Sequence, residues 1–224
     1  THQIVAIKVF LLDGVKYQYI DVLRREIALL CKLHNTFVIK TIGFTRQNPF
    51  YIVTDLVPNG NLFTHLHKRN QSKPLTSTQR TIIAMGIAYG MKYVHDQNII
   101  HRDLKSNNIL IDENDYPVIC DFGIAKIDNN VNSTDCLAGT IQWMAPEIMN
   151  RKTYGKKVDV YSYGMILFEL LTNAVPFQYG PLQKASQDEF IISVAQKKIR
   201  PALPSCTPLG MSNLIKSCWS HAPN

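Results

Sequence analysis

The stretch from residue 99 to residue 123 restricts the fold of this chain more than any other. It reads Ile99-Ile100-His101-Arg102-Asp103-Leu104-Lys105-Ser106-Asn107-Asn108-Ile109-Leu110-Ile111, then the polar run Asp112-Glu113-Asn114-Asp115. It continues Tyr116-Pro117-Val118-Ile119-Cys120-Asp121-Phe122-Gly123. Two short apolar runs flanking an Asp/Asn-rich turn predict a β-hairpin. Asn108 opens the first strand and Asp121 closes the second, so the hairpin brings an amide and a carboxylate to the same end. Asp103 stands in the loop just ahead. Three oxygen-bearing side chains converging on one spot suit a hard cation such as magnesium, carried by phosphates.

Further motifs lie on either side. Val5-Ala6-Ile7-Lys8 precedes the hairpin, and Ala145-Pro146-Glu147 follows it. Together with His101-Arg102-Asp103 through Asn108 and with Asp121-Phe122-Gly123, these resemble the signature set of a eukaryotic protein kinase. Each tripeptide alone is a weak signal, whereas four in the right order and at family-like gaps are specific. The run Gly139-Thr140-Ile141-Gln142-Trp143-Met144-Ala145-Pro146-Glu147 resembles the tyrosine-kinase-like group.

The resemblance implies an α+β, bilobal fold. It assigns residues 1–54 to a small β-rich N-lobe, 55–60 to a hinge and 61–224 to a larger, mainly helical C-lobe. It also implies a domain truncated at both ends. The glycine-rich hairpin that covers the phosphates, the first two strands of the N-lobe, would precede Thr1. The arginine that pairs with Glu147 in the family would follow Asn224.

The roles it implies are specific. Asp103 would accept the proton of the substrate hydroxyl. Lys105 matches the H-R-D-L-K form of serine/threonine kinases and would sit near the γ-phosphate. Lys8 would bind the α- and β-phosphates, held there by an ion pair with Glu26. Asn108 and Asp121 would hold Mg2+ on ATP. Ala6, Thr54 as a small gatekeeper, the backbones of Asp55 and Val57, and Leu110 complete the ATP site. The partners implied are ATP and proteins with Ser or Thr acceptors. Thr140 would bridge towards Asp103 and Lys105, and Asp159 would bond the catalytic-loop backbone. Ser133 and Thr134, in a polar run without hydrophobic periodicity, are candidate phosphorylation sites.

Four residues carry two readings each. Lys8 is otherwise a surface lysine on a half-buried strand, and Glu26 a solvated helix glutamate beside Arg24 and Arg25. Arg102 either binds a phosphorylated residue of the 121–147 segment bidentately or clamps local carbonyls. Cys120 is either a thiol open to electrophiles or a packed, inert one whose pKa Asp121 raises.

Composition narrows the function classes. Lys plus Arg number 24 and Asp plus Glu 17, for a net charge of +7. The excess is thinly spread, densest over Lys152, Lys156, Lys157, Lys197, Lys198 and Arg200, without the compact stripe that nucleic-acid binding requires. Nucleic acid is therefore not an expected partner. Five cysteines without a C-x-x-C pair predict free thiols in a reducing compartment. No apolar run approaches the roughly 20 residues of a membrane span, so a cytoplasmic location is expected.

The remaining elements follow in order. Alternation over 3–10 predicts a strand with Ala6 and Lys8 on one face and Val5, Ile7 and Val9 on the other. Ile20, Leu23, Ile27 and Leu30 predict a helix over 17–33, with Glu26 beside its apolar stripe. Strands are expected near 37–44 and 49–55, and a short helix from about Leu62. His65 and His67, two apart on that helix, face different ways and do not suggest a metal site. Thr76 and Gln79 form a capping-box pattern before a helix to about Asp96 with Ile83, Ile87, Met91 and Val94 buried. Gly86 and Gly90 predict a close helix–helix approach. The segment 158–171 reads as a buried helix, apolar nearly all round, and further helices are expected at 188–198 and 209–220. The alternative to an active kinase is a kinase-like scaffold that binds partners with little or no catalysis.

Overall fold

The computed structural model describes residues 4–10, 24, 27–28, 30–47, 49–67, 74–122 and 141–220. Glu26, Ser133, Thr134 and Thr140, together with the helix positions Ile20 and Leu23, lie outside the described residues.

Three antiparallel strands, β1 (Val5–Phe10), β2 (Thr41–Phe44) and β3 (Phe50–Asp55), form a sheet in the order β1-β3-β2. Lys8 pairs with Ile52 and Val5 with Asp55, while β2 is irregular between Thr41 and Gly43. The sheet turns Phe50 and Ile52 inward. Ile7 and Val9 on the opposite face of β1 are more than half exposed. Of the helix expected at 17–33, Arg24, Ile27, Ala28 and Leu30 are helical, and the chain enters a turn at Cys31. Ile27, Leu30 and Leu33 are buried, as the periodicity requires.

The expected hairpin is present as β4 (Ile109–Ile111) and β5 (Pro117–Ile119), antiparallel with Leu110 opposite Val118. Asp112 builds its turn, its Oδ1 accepting from the amides of Asn114 at 2.9 Å and Tyr116 at 2.7 Å. The segment leading into β2 docks on the hairpin through reciprocal 2.8 Å bonds, Ile39 N–H to Ile119 O and Ile119 N–H to Phe37 O. The hairpin is thereby tied to the sheet by backbone bonds as well as by packing.

The rest is mainly helical. After α1 (Leu62–His67), the helix α2 (Ser77–Asp96) begins at the predicted capping box, with Thr76 and Gln79 bonding reciprocally. Its stripe Ile83, Ile87, Met91 and Val94 is buried. Gly86 and Gly90 do not meet another helix, contrary to expectation. A Cβ on Gly86 would lie 2.5 Å from Pro117 Cγ, and one on Gly90 2.7 Å from Ile119 Cδ1. Those glycines let α2 lie directly on the hairpin that carries the site. Sequence spacing gives the small surface on a helix but not the partner that fills it.

Beyond the short helix α3 (Pro146–Met149), α4 (Lys157–Thr172) runs through the core with Met165, Ile166 and Leu167 fully or nearly fully buried. Burying each such side chain contributes roughly 1.5–3 kcal/mol. Helix α4 ends at Asn173 in the left-handed region, φ 52°. The helix expected at 188–198 is α5 (Gln187–Ile191), capped by Ser186 and Glu189 and followed by a π-helical turn, Ile192–Gln196. Finally α6 (Leu209–Cys218) packs on α4, where a Cβ on Gly164 would lie 2.7 Å from Cys218 Cβ. Arg200 does not belong to a solvated basic surface. Its guanidinium donates to the carbonyls of Trp219, Val194 and Ile199 at 2.9–3.0 Å and lies 5.1 Å from the Tyr161 ring centroid.

Candidate active site

The loop between α2 and β4 is held from below by α4. Asp159 is 1% exposed, and its two oxygens accept from the backbone amides of His101 at 2.8 Å and Arg102 at 2.9 Å. His95, in the last turn of α2, brings Nε2 to the same carboxylate at 2.8 Å. Arg102 has φ 68° and Asp121 φ 58°. Such left-handed conformations cost a non-glycine residue on the order of 1–3 kcal/mol and persist only where the surroundings impose them.

His101 is fully buried, its ring 4.8 Å from that of Phe122. Its Nδ1 accepts from the Asp103 amide at 3.3 Å, so Nε2 carries the proton and donates to Cys120 O at 2.9 Å. Burial pushes its pKa down, the Asp159 charge opposing, which matches this neutral tautomer. His101 therefore works as a spacer that fixes Asp103 relative to the strand end before Asp121.

Asp103 Oδ2 lies 3.0 Å from Lys105 Nζ and 3.2 Å from Asn108 Nδ2. Asn108 also donates to Asp103 O at 2.8 Å across a 3-10 turn, Ser106–Asn108. The structure thus brings Asp103, Lys105 and Asn108 together. Cys120 N–H closes the turn on Asn108 O at 2.9 Å, which sets Asp121 beside it along the chain. Cys120 Sγ points at the same carbonyl from 3.4 Å, and burial first, then the Asp121 charge, push its thiol pKa up to about 12. Of its two readings, packed and inert fits. The Arg102 guanidinium rests 6.0 Å from the centroid of the Tyr154 ring.

Facing this loop is a cavity of about 320 Å3 between the sheet and the hairpin. Seven of the residues expected at a nucleotide site line it: Ala6, Lys8, Thr54, Asp55, Val57, Leu110 and Asp121. Lys8 Nζ and Asp121 Oδ1 are 2.5 Å apart across its mouth, each side chain about half exposed. The Asp55 amide is taken up by Lys40 O at 3.1 Å. Its carbonyl accepts from Thr54 Oγ1 at 3.3 Å. Asn108 is not among the lining residues, and its amide nitrogen donates to Asp103. Glu26, the expected partner of Lys8, lies outside the described residues.

Sequence reasoning missed three parts of this arrangement. Leu30, Ile39, Thr41 and Ile52 also line the cavity. His95 joins Asp159, and Glu169 gathers polar donors deep under the loop. An acidic residue inside the apolar 158–171 run was a legible signal for Glu169, although its partners were not.

Comparison with known proteins agrees with this geometry. The description "Protein kinase domain" matches residues 1–224. The chain belongs to the protein kinase family. This kinase is 36% identical over 98% of its length to serine/threonine-protein kinase STY46 of Arabidopsis thaliana, covering 37% of that protein. It is 39% identical over 90% of its length to serine/threonine/tyrosine-protein kinase HT1 of the same plant, covering 50% of it. Serine/threonine-protein kinase TNNI3K of Mus musculus is 36% identical over 91% of the chain, which spans 24% of that protein. The chain thus spans half or less of the length of these relatives. Members of the family use ATP and Mg2+, and the sheet-and-helix architecture is that of the α+β kinase fold. Among the described residues no helix is long and apolar enough to cross a membrane.

Proposed function

We propose that the protein transfers the γ-phosphate of ATP to Ser or Thr hydroxyls of protein substrates. The observation that carries this reading is the Asp103–Lys105–Asn108 cluster next to a cavity that Lys8 and Asp121 close. Phosphoryl transfer needs mainly positioning and charge neutralisation, and this set supplies both. Adenine would lie between Ala6 and Leu110, with the backbones of Asp55 and Val57 on its edge. Lys8 would leave Asp121 for the α- and β-phosphates.

The oxygen donors suit Mg2+, which binds through one or two carboxylates plus phosphates rather than a protein cage. Asp121 would offer its carboxylate. Asn108 would offer Oδ1, since its nitrogen is held by Asp103. The cation supplies neutralisation of phosphate charge. Asp103 would then orient the acceptor hydroxyl and take its proton, with Lys105 beside it to steady the negative charge. The intact set favours catalysis over a scaffold role. The lobe division at 54/55 and 60/61 is part of the same proposal. The free thiols of Cys31, Cys120, Cys206 and Cys218 support a cytoplasmic location.

The test is Asp103→Asn in the full-length protein. Phosphate incorporation into a protein substrate should fall about 10²–10⁴-fold, as loss of a general base entails. Nucleotide binding, followed by fluorescence, should be largely spared. Unchanged turnover would remove Asp103 from the mechanism.

A further inference from the structure

Helix α4 is apolar on nearly every face, yet Glu169, near its C-terminal end, is fully buried there. Three donors from three separate segments meet its carboxylate. Oε1 accepts from Ser106 Oγ at 2.7 Å and lies 2.9 Å from His67 Nε2. Oε2 accepts from Trp143 Nε1 at 2.6 Å. Ser106 starts the 3-10 turn that ends at Asn108 and directly follows Lys105. Trp143 ends another 3-10 turn, Ile141–Trp143, shortly before α3. Helix α4 holds it a second time, because Ser162 Oγ donates to Trp143 O at 2.8 Å. His67 ends α1, its ring 4.5 Å from that of Phe63.

Burying a carboxylate in an apolar helix does not by itself stabilise it. A carboxylate away from water is costly unless its lone pairs are satisfied. Burial raises the Glu169 pKa, and the three hydrogen bonds oppose that rise. Its chemical value lies in being one acceptor that joins side chains of three segments, two of which α4 also holds separately, through Asp159 and through Ser162. The carboxylate hydrogen-bonds both the Trp143 indole and the hydroxyl of Ser106, which directly follows Lys105.

We propose that Glu169 is a positioning residue for phosphoryl transfer. It fixes the Lys105–Asn108 turn in register with the Trp143 segment, and His67 extends the same clamp to α1. The proposal rests on the kinase reading above. If Ser106 loses its anchor, Asn108 loses its fixed hold on Asp103, and a misplacement of about 1 Å can cost about 10²-fold in rate.

The experiment measures kcat, amide hydrogen exchange at residues 105–108 and melting temperature in the full-length protein and its variants. Ser106→Ala and Trp143→Phe should each lower kcat about tenfold, a part of that bound. Exchange at residues 105–108 should rise in both. A purely structural tryptophan, remote from the reacting groups, would lower the melting temperature and leave both readouts in place. Glu169→Met, which removes every acceptor, should reproduce the loss, and Ser106→Ala should then add less than about twofold, because residues acting through one partner are not additive. Glu169→Gln should restore most of kcat. Its oxygen can accept from Trp143, while its amide can donate to Ser106 Oγ and to His67 Nε2. If Glu169→Met does not fold, Trp143→Phe and Ser106→Ala still decide the matter. Wild-type kcat and exchange in Trp143→Phe would overturn the proposal, as would Glu169→Gln losing kcat to the level of Glu169→Met. A wild-type protein without transfer would refute the kinase reading, while the exchange data would still judge the clamp.

Discussion

Replacing Asp159 by asparagine probes the foundation of the site without touching any group at the cavity. The carboxylate has an oxygen for each of the His101 and Arg102 amides, at 2.8 and 2.9 Å. Asparagine has one oxygen, so one of the two amides faces an NH2 group instead. A buried N–H left without an acceptor costs about 1–3 kcal/mol, and the surviving bond loses its charge-assisted part, about another 1 kcal/mol. His95 adds no further loss, since its Nε2 can bond either end of the new amide. Arg102, at φ 68°, is then held in its left-handed conformation by one anchor fewer. A net loss of about 3 kcal/mol corresponds to a fall in Tm of about 6–12 °C for a chain of this size. Calorimetry on the nucleotide-free protein measures it, and amide exchange at His101 and Arg102 identifies its origin. A fall below about 2 °C, or unchanged protection of both amides, would refute the reasoning that Asp159 imposes the loop conformation.

Other outcomes follow from the same geometry. The Cys120 thiol, with its pKa pushed up to about 12, should resist iodoacetamide at pH 8 in the folded protein while exposed Cys206 is alkylated. Mass spectrometry of tryptic peptides reads both. A folded Cys120 keeps its proton from about pH 9 to about pH 12 while the unfolded thiol loses it. The folded state then binds more protons, so stability should fall as pH rises through that window. Urea midpoints should show a shallower fall for Cys120→Ala. Gly86→Ala pushes a methyl against the ring of Pro117 and should cost about 1–3 kcal/mol by overpacking. Gly155→Ala, with nothing within 4 Å of its new Cβ, should leave the midpoint unchanged.

Much of this protein is written locally in its sequence. The capping box at Thr76 and Gln79, the stripe Ile83, Ile87, Met91 and Val94, and the Asp112 turn between two apolar strands each depend on residues a few positions apart. Backbone hydrogen bonding and side-chain periodicity act over that range, so these elements were legible without a structure. The motif residues were legible for a related reason. The spacing from Asp103 to Asn108 is one turn, and from Asn108 to Asp121 one hairpin, which leaves little freedom in where the ends meet.

Tertiary structure decided the rest. Gly86 and Gly90 announced a close approach, but only the fold supplied Pro117 and Ile119 rather than a helix as its filling. Arg200 reads as one more surface cation until its guanidinium is seen on three carbonyls. Glu169 stood out as a charge in an apolar helix, yet its donors Ser106, His67 and Trp143 lie 63, 102 and 26 residues away. A hydrogen bond carries no signature of its partner in the sequence around it. It forms where packing brings donor and acceptor within about 3 Å, and that distance is a property of the assembled core alone.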